Sequence, residues 1–116
     1  MQTALRVTFR HMDPSAAAEH RIRELIQRLE HRYDRIIGCH VVVEAPAGGQ
    51  SHHGAFRVSV ELDIPGGVIH ASNSPIKLDA HCDAYVALRD AFEAAKRQLV
   101  DAVTIEQEDR VNTARR

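Results

Sequence analysis

The segment Phe56 to Ile64 sets Phe56, Val58, Val60, Leu62 and Ile64 against Arg57, Ser59, Glu61 and Asp63 without a break. Successive strand side chains point to opposite faces, so this pattern demands a β-strand with one buried and one wet side. A one-faced strand cannot stand alone. It needs neighbours in a sheet and an apolar layer over one side.

The rest of the chain supplies both. Ala4 to Phe9 alternates Leu5, Val7 and Phe9 with Arg6, Thr8 and Arg10, and Cys39 to Ala45 holds the β-branched run Val41-Val42-Val43; each reads as a strand. Ile64-Pro65-Gly66-Gly67 places proline second and glycine third, as a type II turn requires, so Val68 to Ser72 returns as a hairpin partner. Between the first two strands, Ala18, Ile22, Leu25, Ile26, Leu29 and Tyr33 recur at three- and four-residue steps, which predicts a helix of about five turns. Asp13-Pro14 reads as its cap and first position, and Gly38 as its end. A second stripe through Tyr85, Leu88, Phe92, Ala95, Leu99 and Ala102 or Val103 predicts another helix of about six turns, capped by Asp79 or Asp83.

The order is β-α-β-β-β-α. A strand, crossover helix and strand make a right-handed parallel unit, and the next two strands extend it as an antiparallel meander. The expected fold is therefore α+β: a two-layer sandwich of a four-stranded mixed sheet with both helices on one face. Arg6, Thr8, Arg57, Ser59, Glu61 and Asp63 fall on its open side. At 116 residues the chain suits one domain, placed at residues 1–105, with 106–116 as a flexible C-terminal tail whose only large apolar residue is Val111.

Charge narrows the partners. Fifteen Lys and Arg stand against 16 Asp and Glu, which argues against a polycation of the histone-like, DNA-binding kind. No apolar run approaches the ~20 residues of a membrane helix, and the first residues lack a charged region followed by an apolar one. A cytoplasmic protein with no membrane partner is expected.

Templates of catalysis are missing: there is no GxSxG, Walker loop, GxGxxG or HExxH, and no carboxylate pair recurs on an apolar face. The expectation is a protein that is not an enzyme and needs no cofactor. Eight histidines invite a metal test. His52-His53 and His81-Cys82 are adjacent rather than spaced pairs, which point side chains to different sides of a regular element, so they are weak metal candidates and read as surface or capping groups. Cys39 and Cys82 read as reduced, mostly buried thiols.

A basic helical face remains. Arg21, Arg28 and Arg32 lie at i, i+7 and i+11, one stripe of the first helix, with His20, Gln27 and His31 beside it and Arg35 just after. Arg89, Lys96 and Arg97 occupy the exposed side of the second helix. Two helices on one face of a sheet bring such groups around a groove.

The chain also resembles the short ribosome hibernation promoting factor and ribosome-associated inhibitor family, the sigma-54 modulation proteins. The likeness lies in His31-Arg-Tyr-Asp-Arg-Ile36, Phe56-Arg-Val-Ser-Val-Glu-Leu62, Pro65-Gly-Gly-Val-Ile-His-Ala-Ser72, Asp83-Ala-Tyr-Val-Ala-Leu-Arg-Asp-Ala-Phe92 and Lys96-Arg-Gln-Leu99, in the family's order. The resemblance implies a non-enzymatic factor that binds the small ribosomal subunit and silences translation under stress. It implies rRNA phosphate contacts at Arg21, Arg28, Arg32, Arg35, Arg89, Lys96 and Arg97. Asp83 would then be a cap or ion-pair partner and Tyr85 a core residue.

Two features depart from the family: Asp101 to Asp109 holds four acids and no base where a basic stretch is usual, and the first helix is interleaved with acids. Histidine titrates near pH ~6.5, so His20 and His31, flanking the arginine stripe, predict binding that strengthens on mild acidification. The competing expectation is a protein-interaction module of the same fold that does not bind RNA, using its sheet face or an edge strand to pair with another subunit or, as a weak homodimer, with a copy of itself.

Overall fold

The computed structural model describes residues 4–45, 56–73 and 84–114, with side chains as far as residue 102. Six elements follow in the expected order: β1 (Ala4–Arg10), α1 (Ala16–Arg32), β2 (Gly38–Glu44), β3 (Arg57–Ile64), β4 (Gly67–Ser72) and α2 (Ala84–Ala114). The strands lie side by side as β1-β2-β3-β4. β1 pairs parallel to β2, with Val7 beside Val41, and β2–β3 and β3–β4 are antiparallel. The mixed sheet predicted from the crossover rule is present.

Alternation decides what each strand buries. Cys39, Val41 and Val43 of β2, Val58, Val60 and Leu62 of β3, and Ile69 and Ala71 of β4 form one core with Ile22, Ile26 and Leu29 of α1 and Leu88, Phe92, Ala95 and Leu99 of α2. Both helices therefore cover the same side of the sheet. On the other side Arg6, Arg57, Ser59 and Asp63 are exposed and Thr8 and Glu61 half-buried, as the alternation predicts. The register lines up Arg6, His40, Glu61 and His70 in one rank across all four strands.

The ends of α1 differ from the sequence reading. Its cap is Ser15, whose Oγ accepts from the Ala18 N–H at 3.1 Å, so Asp13 and Pro14 lie before the helix. A hydroxyl at the position directly before the first helical residue reaches the third amide of the turn, which Asp13 does not. The helix stops at Tyr33, in extended backbone (φ −130°, ψ 90°), five residues before Gly38. Gly38 instead opens β2 at a close approach: a Cβ there would meet Asp63 Oδ2 at 3.0 Å. The type II turn is as expected, with Gly66 at φ +90°.

The second helix is longer than its apolar stripe. It spans 31 residues, about 46 Å at ~1.5 Å per residue, and remains helical to Ala114 through the segment predicted to be a flexible tail. Between Ala84 and Ala114 there is no glycine or proline to stop it, and Glu106 and Arg110 have the favourable acid-first i, i+4 spacing. Tyr85, expected in the core, is 47% exposed; burial on α2 begins at Ala87 and Leu88.

Candidate nucleic-acid interface

The apolar stripes of α1 and α2 pack on the same sheet face and on each other, which leaves their flanking polar positions facing across a groove of about 790 Å³. Leu29 and Phe92 are buried at its base, with half-buried Leu25 beside them. Arg21, Arg28, His31 and Arg32 line it from α1, and Arg89 and Lys96 from α2.

Each wall is a consequence of helical period. Arg21, Arg28 and Arg32 run along one side of α1, about 16 Å from first to last at the ~1.5 Å helical rise. Arg89, Glu93 and Lys96 occupy one stripe of α2 at steps of four and three. The elements that carry them are far apart in sequence but share a core, so the cations converge although no local signal links them. Arg89 is anchored by its neighbour: its Nε and Nη2 each lie 3.5 Å from Asp90 Oδ1.

The groove does not gather every predicted residue. Arg97 is exposed on α2 outside the groove lining, and Arg35 is exposed in the α1–β2 connection because α1 ends at Arg32. His20 sits outside as well, its Nε2 3.6 Å from Glu24 Oε1. Conversely, Glu24 and Glu93 are part of the lining. Their spacing, four residues before Arg28 and four after Arg89, is the signal that places them on the cationic stripes. Five permanent cations thus face two carboxylates, and the groove is positive although the whole chain carries a formal charge of −1.

The metal candidates His52, His53, His81 and Cys82 fall outside the described residues, as do the expected caps Asp79 and Asp83. Among the described residues no three His, Cys, Asp or Glu side chains are grouped to hold a metal ion. Cys39 is a buried thiol. Burial, with the negative charges of Glu30 and Asp63, pushes its pKa from 9.0 up to about 12, which makes it a poor nucleophile.

Solved structures share this architecture. A ribosomal subunit interface protein from Coxiella burnetii superimposes with a TM-score of 0.72 at 17% identity, covering 88% of this chain and 99% of its own. The N-terminal domain of Protein Y from Thermus thermophilus gives 0.55 at 21% identity, covering 83% and 98%. At these identities the likeness establishes the fold. No curated protein sequence matches the chain. A family model does, over residues 5–104, from the first strand through the groove-bearing part of the second helix. By that match the chain belongs to the sigma 54 modulation protein / S30EA ribosomal protein family.

Proposed function

We propose that this protein binds the small ribosomal subunit through the α1–α2 groove and silences translation under stress, as a non-enzymatic factor of the cytoplasm. The observation that carries the reading is the convergence of Arg21, Arg28, Arg32, Arg89 and Lys96 on one groove. Guanidinium groups hold phosphate oxygens as a planar fork, so four arginines and a lysine along two rigid helices suit an RNA backbone held in a fixed register. Contacts of this kind position the protein and carry little base information, which suits recognition by shape. Arg35 and Arg97 extend the same contact beyond the groove.

Glu24 and Glu93 moderate the grip. A carboxylate beside an RNA phosphate is repelled, so the groove binds less tightly than its cations alone would permit. Membership of the family and the two structural likenesses support the ribosomal partner.

Cosedimentation with purified small subunits across a salt series tests the proposal. Seven phosphate contacts, five in the groove with Arg35 and Arg97 beyond it, give log K a slope against log salt of roughly −5 to −6, and Arg28→Ala with Arg89→Ala should make it shallower by about two while lowering affinity uniformly. Binding that ignores salt, or no binding, would overturn the phosphate-groove reading.

A further inference from the structure

The sheet has two edges, and they are built differently. β1 carries Arg6 and Arg10, charges of the kind that discourage another strand from pairing. The other edge, β4, reads Gly-Val-Ile-His-Ala-Ser and holds no proline, lysine, arginine or carboxylate, with Val68 50% exposed.

The ladder shows which backbone groups β4 turns outward. Asn73 N–H donates to the Val58 carbonyl at 3.2 Å, and facing alternates along an antiparallel strand. Residues 67, 69, 71 and 73 therefore point their backbone groups at β3, while Val68, His70 and Ser72 point theirs away from the sheet.

This edge is self-complementary. A two-fold axis at His70 sets His70 against its own copy and Val68 against Ser72 of the copy, so every outward N–H and C=O meets a partner and no lysine, arginine or carboxylate faces its own kind. On the inner face the same register sets Ile69, 6% exposed, against Ala71 of the copy, continuing the apolar layer. The helix beside the edge leaves room. Half-buried Ala94 and exposed Gln98 of α2, with His70 and Ser72, border a depression of about 400 Å³ that continues from the edge across β3 to β2, and both helix residues are small or uncharged.

We propose that β4 is a homodimer interface, in which two copies of this chain join antiparallel at the β4 edge into one continuous eight-stranded sheet. A six-residue edge is about 20 Å long, and a contact of this size falls below the ~1,200 Å² of a standard stable interface. The dimer is correspondingly weak, forming at micromolar to millimolar concentration. It leaves the α1–α2 groove uncovered, so it holds whether or not that groove binds RNA.

Sedimentation velocity of the whole chain from ~10 μM to ~1 mM tests it, since that window brackets the expected dissociation constant. The wild type should pass from monomer to dimer. His70→Pro removes an outward N–H without touching the β3 ladder, and a Val68→Lys/His70→Lys variant brings like charges together across the axis. Both should stay monomeric throughout while keeping the wild-type circular dichroism. Independently of any variant, amide exchange at Val68, His70 and Ser72 of the wild type should slow as concentration rises. A wild type that remains monomeric at ~1 mM overturns the proposal. So does a dimer that survives in both variants, or an edge that takes up an added extended peptide while the chain itself stays monomeric.

Discussion

Asn73 ties the end of β4 to the start of β3 at Val58: its Oδ1 accepts from the Val58 N–H at 3.0 Å, and its Nδ2 donates to the Phe56 carbonyl at 2.8 Å. The side chain continues the ladder where the strand has run out, and Asn73 is only 9% exposed. Asn73→Ala leaves the Val58 N–H without a partner in a buried place, at a cost of about 1–3 kcal/mol. Urea unfolding should show a lower midpoint at unchanged slope.

Cys39 predicts both reactivity and pH dependence. With its pKa raised from 9.0 to about 12, the native protein holds far less thiolate near pH 8 than the unfolded chain, and its alkylation there should be slower by at least about tenfold. The folded state holds the proton more tightly, so this contribution to stability is full below pH 9 and is lost as pH rises from 9 toward 12. Cys39→Ala should flatten the alkaline fall in melting temperature.

His11 has φ +61°, the left-handed region, directly after β1, with its Nε2 3.5 Å from Glu44 Oε1. Asparagine tolerates that conformation and a β-branched residue does not. His11→Asn should change stability by less than ~0.5 kcal/mol and His11→Val should cost roughly 1–2 kcal/mol, read from thermal denaturation.

The carboxylates of the groove make a prediction of the opposite sign to the cations. With RNA in the groove as proposed, Glu24→Gln and Glu93→Gln, both at lining positions, would each remove a repulsion of about 1 kcal/mol between a carboxylate and a nearby phosphate. Each should tighten small-subunit binding about fivefold at low salt, with the gain shrinking as salt rises.

Acidification acts on the same groove. His31 lies on its wall with Arg28 and Arg32 from its own helix and Arg89, Glu93 and Lys96 opposite, while His20 sits outside the lining, 3.6 Å from Glu24 Oε1. A proton added to an imidazole on this wall adds a cation where phosphate is proposed to sit, so binding should strengthen on mild acidification. His20→Gln with His31→Gln should abolish the response between about pH 6 and 8; a double variant with the full response would refute it.

How far the sequence reaches can be judged from individual residues. Val58, Val60 and Leu62 announce a one-faced strand because the two-residue period of a strand is local, and Ile22, Ile26 and Leu29 announce a helix for the same reason. Element ends were less legible. Ser15 rather than Asp13 caps α1, Tyr33 ends it well before Gly38, and α2 runs on to Ala114, since an apolar stripe reports where a helix is buried and not where it stops.

The groove divides along the same line. The amino-acid sequence by itself determined that Arg21, Arg28 and Arg32 share a face of one helix, that Arg89 and Lys96 lie on another, and that β-α-β-β-β-α folds into a mixed sheet. Two helices on one sheet face also made a shared groove the expectation; only the tertiary structure decided which side chains line it, with Glu24 and Glu93 among them and Arg35, Arg97 and His20 outside. The physical reason is range. Periodicity is written within a few residues, whereas the facing of two helices some sixty positions apart depends on how their buried stripes divide one sheet surface between them.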